Sequence, residues 1–281
     1  MRWLNLDNIS EKELLRSLRK KIFITGYKGG MAHLASCYSA IEIIYTLYLR
    51  DVLKYDRTNP KWEGRDRFIL SKGHAGLALF AVLNQAGLMT DKEFDSYLKP
   101  NTRIGGEPCM RDCEWVEATT GSLGHGLSLG LGMALALKAN NSNAKVYVLL
   151  GDGECEEGSI WEAAMFASAY KLNNLIAILD HNRIQKMDLT NKIIGQEQWD
   201  KKWEAFGWQV KHTDGHDINK LKTIFSEENS SYMPLLIIAD TIKGKGISIM
   251  ENNPNWHFKL PKKKELKVFM DELNVTEDEL E

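Results

Sequence analysis

Val146-Tyr147-Val148-Leu149-Leu150-Gly151-Asp152-Gly153-Glu154 is the stretch on which the reading of this chain turns. Its first five residues are a short aliphatic and β-branched run, the pattern of a strand buried on both faces of a parallel sheet. Glycines follow at its carboxyl end. A helix-like segment, Ile160 to Tyr170, comes next, and then a second apolar run, Leu175-Ile-Ala-Ile-Leu179, delivers Asp180-His181-Asn182. Two strand ends in one sheet therefore present Asp152 and Asn182 side by side, with the glycine backbone of Gly151 and Gly153 between them. Such an array suits a divalent cation held against a diphosphate. Mg²⁺ takes oxygen ligands, a few from protein and the rest from phosphate and water, and glycine lets backbone N–H groups approach phosphate closely. Asp and Asn are also ordinary turn formers after strands, so the pair needs support from the rest of the chain.

Outward from this point the sequence alternates strands and helices. Ser10, with Glu13 three residues on, forms a capping-box signature for a helix carrying Leu14, Leu15, Leu18 and Ile22. A second helix is expected from about Ser39 to Leu49. Arg67–Leu70 reads as a strand ending at Ser71-Lys-Gly-His74, followed by a buried helix from Ala75 to Ala86. The Gly-, Ala- and Leu-rich run from Leu123 to Ala139 suits a closely packed helix. Further strands are expected at Trp208–His212 and Leu235–Thr241, with a helix from Asp217 to Phe225 between them. This alternation predicts a doubly wound α/β fold with a mainly parallel sheet and helices on both faces. Ligands in such sheets bind beyond the carboxyl ends of the strands, where His74, Asp152, Asn182 and Lys243-Gly-Lys-Gly246 all fall. The tail, Pro261 to Glu281, reads as a solvated terminal helix.

Composition narrows the function classes. With 43% hydrophobic and 26% charged residues the chain can bury a sizeable core, and its formal net charge of −2 gives no reason to expect nucleic acid. The N-terminus carries Asp7, Glu11 and Glu13 where a signal peptide needs an apolar core, and the apolar runs are strand-sized, too short for a bilayer. Cys37, Cys109, Cys113 and Cys155 have no metal-site spacing and read as reduced structural cysteines. The expected location is cytoplasmic, with no membrane association.

Several blocks, in order, resemble one family. They are Arg65-Asp-Arg-Phe-Ile-Leu-Ser-Lys-Gly-His74, Thr119-Thr-Gly-Ser-Leu-Gly124, Gly151-Asp-Gly-Glu154 with Asn182 following 28 residues after Glu154, Phe206-Gly-Trp208, Asp214-Gly-His-Asp217 and Thr241-Ile-Lys-Gly-Lys-Gly246. The chain resembles the N-terminal, diphosphate-binding half of a transketolase, and is similar to the N-terminal subunit of transketolases split into two polypeptides. The resemblance implies thiamine diphosphate and Mg²⁺, or another divalent cation such as Ca²⁺, as cofactors. It implies transfer of a two-carbon ketol unit from a ketose donor to an aldehyde acceptor, on sugar or sugar-phosphate substrates. It implies a single diphosphate-binding domain over residues 1–281. The pyrimidine-binding and C-terminal domains, and the Glu that activates the cofactor, would then belong to a partner chain in an α2β2 heterotetramer, and this chain would be active only with that partner.

The resemblance also assigns residues. Asp152, Asn182 and the carbonyl of Ile184 would ligate the metal. Gly151, Gly153, Glu154, Gly121 and Leu123 would contact the cofactor, the last two beside the aminopyrimidine. His74 and His257 would face the diphosphate side or the substrate, and His33 would line the substrate channel and assist proton transfer. Imidazoles suit these roles because they donate to anions and move protons near neutral pH. Two departures lie on the substrate side. Glu107 stands in Gly106-Glu-Pro108 where the family has a donor-facing His, and Phe258 follows His257 where a Gly is frequent. Glu107 motivates another reading, an acyloin-type reaction on a modified or nucleotide-linked sugar; a third, from another class, is a non-catalytic, cofactor-binding scaffold that stabilises a partner, against which the intact Asp152 and Asn182 pair speaks. His216, in the Asp214 block, reads as a turn or packing residue, and His125 as an aid to its glycine-rich turn.

Overall fold

A computed structural model of the chain describes residues 10–31, 33–195, 198–229 and 231–281. Asp7, used above against a signal peptide, and Ala32, which flanks His33, lie outside the described residues. The elements in chain order are α1 (Glu11–Lys28), α2 (Leu34–Leu49), β1 (Arg67–Leu70), α3 (Gly76–Gln85), α4 (Asp91–Phe94), α5 (His125–Ala139), β2 (Val146–Gly151), α6 (Gly158–Ala169), β3 (Leu175–His181), α7 (Thr190–Ile193), α8 (Trp199–Ala205), β4 (Gln209–Asp214), α9 (Ile218–Ser226), β5 (Leu235–Asp240) and α10 (Lys263–Leu273).

The five strands form one sheet in the order β1-β2-β3-β5-β4, and every pairing is parallel. Side chains alternate between two cores, as the two-residue period of a strand requires. Along β2, Val146, Val148 and Leu150 pack with α5, α6 and α8, whereas Tyr147 and Leu149 pack with α1, α2, α3 and α9. Helices thus cover both faces, and the inner strands β2, β3 and β5 are buried nearly throughout. β4 sits at the edge and is only half-buried, which explains its more polar sequence.

The capping box at Ser10 and Glu13 forms as the sequence indicates, with the Ser10 hydroxyl accepting from Glu13 N–H and the Glu13 carboxylate accepting from Ser10 N–H at 3.1 Å. Three expectations need correction. The second helix begins at Leu34, not near Ser39. Its first turns carry buried Leu34, Ala35, Cys37 and Tyr38 and need no polar cap to hold them. The helix expected from Leu123 begins at His125, because Gly124 is left-handed with φ +84°, which no α-helix continues through. The C-terminal helix is not a solvated appendage. α10 buries Phe269 and Leu273, and the Phe269 ring lies 5.0 Å from Phe23 of α1 and 5.3 Å from Trp256. All four cysteines are free. Among the described residues no helix is long and apolar enough to cross a membrane.

Candidate functional site

The carboxyl ends of β1, β2, β3 and β5 converge because the strands are parallel and in register: Leu70 pairs with Leu149, Gly151 with Asp180, and His181 with Asp240. A cavity of about 410 Å³ opens at this edge. Its wall contains His33, His74, Glu107, Gly121, Leu123, Gly151, Asp152, Gly153, Glu154, Asn182, Ile184 and His257. The structure thus brings to one place Glu107 and every residue to which the resemblance assigns a role. A larger cleft of about 690 Å³ lies elsewhere, between the segments around 88–93 and 110–117. Two ion pairs, Arg65 with Glu117 and Arg103 with Asp112, lie in its wall, and it holds none of the strand-end residues.

The oxygen donors sit on the turns after β2 and β3. Asp152 is buried, and one of its carboxylate oxygens accepts from Gly153 N–H at 2.8 Å while the other accepts from Arg183 N–H. Burial pushes its carboxyl upward, opposed by the nearby Lys243 ammonium. Asn182 Oδ1 accepts from Ile184 N–H at 3.1 Å. The Ile184 carbonyl accepts from Lys243 Nζ at 2.9 Å. One carboxylate, one amide and one carbonyl are hard oxygen donors, too few to fill an octahedral shell, so a Mg²⁺ bound here needs phosphate or water oxygens as well. Among the described residues no group of three or more His, Cys, Asp and Glu could hold a metal by itself.

Two buried lysines supply the complementary charge; the sequence reading placed Lys243 at a strand end without giving it a role, and it missed Lys72. Lys72 follows β1 and pairs with Asp180, which also accepts from Ser39 Oγ at 2.7 Å and from the Thr241 hydroxyl. Burial alone would raise Asp180, but the Lys72 ammonium and these donors outweigh it and hold the carboxyl well below its ordinary value. Lys243 follows β5 and is fully buried. Desolvation, then repulsion from Lys72, lowers it to about 8, against the attraction of Asp152 and Asp180. Two ammonium groups under one cavity favour an anion. Both lie within the blocks quoted above, Ser71-Lys-Gly-His74 and Thr241-Ile-Lys-Gly-Lys-Gly246. Their position directly after strands was the available signal.

Three imidazoles roof the cavity. The His33 ring lies 5.1 Å from His74 and 5.7 Å from His257, and His74 lies 5.8 Å from His257. Desolvation and then the Lys243 charge lower His33 to about 4 and His257 to about 3, and burial with the Lys72 charge holds His74 well below its ordinary value. All three are therefore neutral at pH 7. Nδ1 of His33 and Nδ1 of His257 are buried without a hydrogen-bond partner among the described residues. These are orphaned polar atoms of the kind a ligand satisfies.

Glu154 lines the cavity, but its oxygens are engaged by the protein. They accept from Ser71 Oγ, from Gly124 N–H at 2.9 Å and from Gly151 N–H at 3.0 Å. The side chain therefore braces the ends of β1 and β2 against the start of α5. Glu107 is different. It stands at the mouth, its carboxyl is raised by partial burial, and it lies directly over Gly121, where a Cβ would come within 1.9 Å of its Oε2. Gly121 has φ +134°, so glycine is needed there on both counts. Phe258 is mostly exposed with its ring 4.7 Å from His33. His216 lies outside the cavity. Its Nε2 accepts from Ile242 N–H at 2.8 Å, so its Nδ1 donates to Glu42 at 3.0 Å, in a buried cluster that includes Arg19. His125 is exposed, with Nδ1 3.1 Å from the Leu123 carbonyl.

A parallel α/β sheet whose strand ends gather oxygen donors, buried ammonium groups and neutral imidazoles defines a class, the diphosphate-binding α/β domains. The family described as "Transketolase, thiamine diphosphate binding domain" matches residues 16–278. The chain is 38% identical over 276 residues to an apulose-4-phosphate transketolase subunit from Actinobacillus succinogenes, covering 96% of this chain and 99% of that one. It is 40% identical over 225 residues to the 6-deoxy-6-sulfo-D-fructose transketolase subunit SqwG of a Clostridium species, covering 80% and 82%. The solved transketolase of Leishmania mexicana superposes with a TM-score of 0.84 at 25% identity, over 95% of this chain but only 42% of that one. The chain belongs to the transketolase family and carries its thiamine diphosphate-binding domain.

Proposed function

We propose that this chain is the diphosphate-binding subunit of a two-chain, thiamine diphosphate-dependent transketolase that moves a two-carbon ketol unit from a ketose to an aldehyde. The observation that carries this reading is the convergence of Asp152, Asn182 and the Ile184 carbonyl with the buried Lys72 and Lys243 at one sheet edge. Oxygen donors fit a divalent cation and ammonium groups fit a diphosphate, so the residues suit the group as a unit. When bound, thiamine diphosphate supplies the nucleophilic carbon and the electron sink for carbon–carbon bond cleavage.

The chain's own residues hold and orient. Asp152, Asn182 and Ile184 would ligate Mg²⁺. Gly153 N–H, Lys72 and Lys243 would meet the diphosphate, and Gly121 and Leu123 would border the pyrimidine. His33, His74 and His257, kept neutral by burial, would donate N–H to substrate oxygens, or take a proton from a substrate hydroxyl and become imidazolium until they return it. Residues 1–281 form, in this reading, one diphosphate-binding domain, supported by a single sheet whose two cores draw on residues from Leu14 to Val275. The pyrimidine-binding domain would come from a partner chain, in a two-plus-two assembly in the cytoplasm. The likeness to transketolase subunits named as such, along 99% of one and 82% of the other, supports this division. Those names carry a sugar phosphate and a sulfonated sugar, which supports a sugar or sugar-phosphate substrate here. Glu107 favours a second reading of the donor: a carboxylate at the mouth accepts from a hydroxyl or amine and repels nearby negative charge.

Calorimetric titration of thiamine diphosphate into the co-purified assembly, with Mg²⁺ or with a chelator, tests the proposal. Binding should require the cation and disappear in Asp152→Ala, with the fold of that variant intact by circular dichroism. Unchanged cofactor affinity in the variant would overturn the assignment.

A further inference from the structure

Arg183 stands between two of the proposed cation ligands, Asn182 and Ile184, and its backbone is left-handed, with φ +65°. Residues with a side chain avoid that region because Cβ crowds the following carbonyl. Here the conformation aims three groups at once. It directs Arg183 N–H onto Asp152. It folds Ile184 N–H back onto Asn182 Oδ1 at 3.1 Å. It turns the Ile184 carbonyl toward the cavity, where it meets Lys243 Nζ. Past the turn, the Arg183 carbonyl accepts from Thr190 N–H at 3.0 Å, and Ile184 bridges Leu189.

The side chain of Arg183 explains why the turn stays in place. Its guanidinium pairs with Asp240, the last residue of β5, and reaches the His181 carbonyl at 3.5 Å. The same Asp240 oxygen accepts from His181 Nδ1 at 3.0 Å. His181 and Asp240 are register partners on neighbouring strands. Asp240 therefore grips the residues immediately before and after Asn182. Both partners are about half exposed, 54% for Arg183 and 46% for Asp240. A pair that exposed adds little to global stability. Beside a left-handed residue it has a more local use, holding a conformation the backbone does not favour.

We propose that Arg183 is a positioning residue and Asp240 its clamp, together holding the turn that points Asp152, Asn182 and the Ile184 carbonyl at a shared cation. The inference rests on the cation–diphosphate reading above. Glycine adopts this φ without a clamp, whereas a β-branched residue resists it. The difference gives a double-mutant cycle.

The experiment measures Mg²⁺ affinity at saturating thiamine diphosphate, by calorimetry on the full chain in the assembly it purifies with, alongside the melting temperature of each variant. Arg183→Val should weaken Mg²⁺ at least tenfold, and Arg183→Gly less than threefold. Asp240→Ala should cost three- to tenfold on the wild-type background and nothing when combined with Arg183→Gly. A salt bridge that merely stabilised the fold would lower both melting temperatures alike and leave Mg²⁺ affinity unmoved. Equal cost of Asp240→Ala on the two backgrounds overturns the clamp, as does wild-type affinity in Arg183→Val. If Arg183→Val does not fold, the Asp240→Ala cycle decides alone. Asp152→Ala separates the two levels of failure. Wild-type Mg²⁺ affinity in that variant overturns the cation reading itself, while its loss together with an intact Arg183→Val overturns the clamp only.

Discussion

At the scale of the residue, the cavity combines neutral imidazoles with charged groups nearby, and burial decides which is which. His33 and His257 fall to about 4 and about 3 from an ordinary 6.5. As pH falls through about 6.5, imidazoles in the unfolded chain take up protons first, while those in the folded chain do not. The unfolded state then binds more protons, so stability contributed by these side chains, complete above pH 6.5, is lost on acidification toward pH 4 and below. Urea titrations at pH 7 and pH 4.5 should show a smaller acid loss for the His33→Asn, His257→Asn double variant than for wild type; equal losses contradict the assignment. Glu107→His should raise kcat/KM for ordinary ketose phosphates and lower it for the native donor. If every donor moves by less than about threefold, roughly 0.7 kcal/mol, Glu107 does not select substrate. Residue types were legible in the sequence wherever chemistry needed a rare one: Asp152, Asn182 and the histidines stood out after strands. Lys72 did not, and Lys243 was placed after a strand without a role, since a lysine shows its burial only once Asp180 and Ile184 are seen beside it. Glu154 was recognised as part of the site but not as a brace, because its partners Ser71 and Gly124 are distant in sequence.

At the scale of the element, strand assignments agreed with the structure to within a residue or two, because β2, β3 and β5 are apolar runs that end in glycine or polar residues. Helix starts were less legible where tertiary burial replaced a polar cap, as at Leu34, or where backbone conformation intervened, as at Gly124. The tail showed the opposite fault. Its lysines and acidic residues suggested solvent exposure, but Phe269 and Leu273 recur on one face and dock against α1. Phe269→Ala should therefore destabilise the chain by about 3–5 kcal/mol through lost burial and the cavity left behind. Denaturant unfolding monitored by circular dichroism measures this. A loss below about 1 kcal/mol would return α10 to the solvated role its charge suggests.

At the scale of the whole molecule, the sheet order and its two cores put every candidate ligand on one edge, while α5 and α6 carry exposed apolar side chains. Leu129 on α5, Met165 and Phe166 on α6 and Tyr170 just beyond it are exposed, with the Phe166 and Tyr170 rings stacked at 4.3 Å. Apolar side chains gathered in this way suit burial in an assembly. Light scattering of the purified chain should give a dimer or larger species; a monodisperse monomer speaks against a two-plus-two assembly. In the proposed function this chain supplies one half of a ketol-transfer site. The direct measurement is steady-state ketol transfer, with thiamine diphosphate and Mg²⁺, by this chain, by a pyrimidine-binding chain from the same genome, and by the two together across a panel of ketose donors and aldehyde acceptors. Turnover is expected only when both chains are present, and is abolished by Asp152→Ala in this one. Full activity from this chain alone, or undiminished activity of the pair carrying Asp152→Ala, would contradict it.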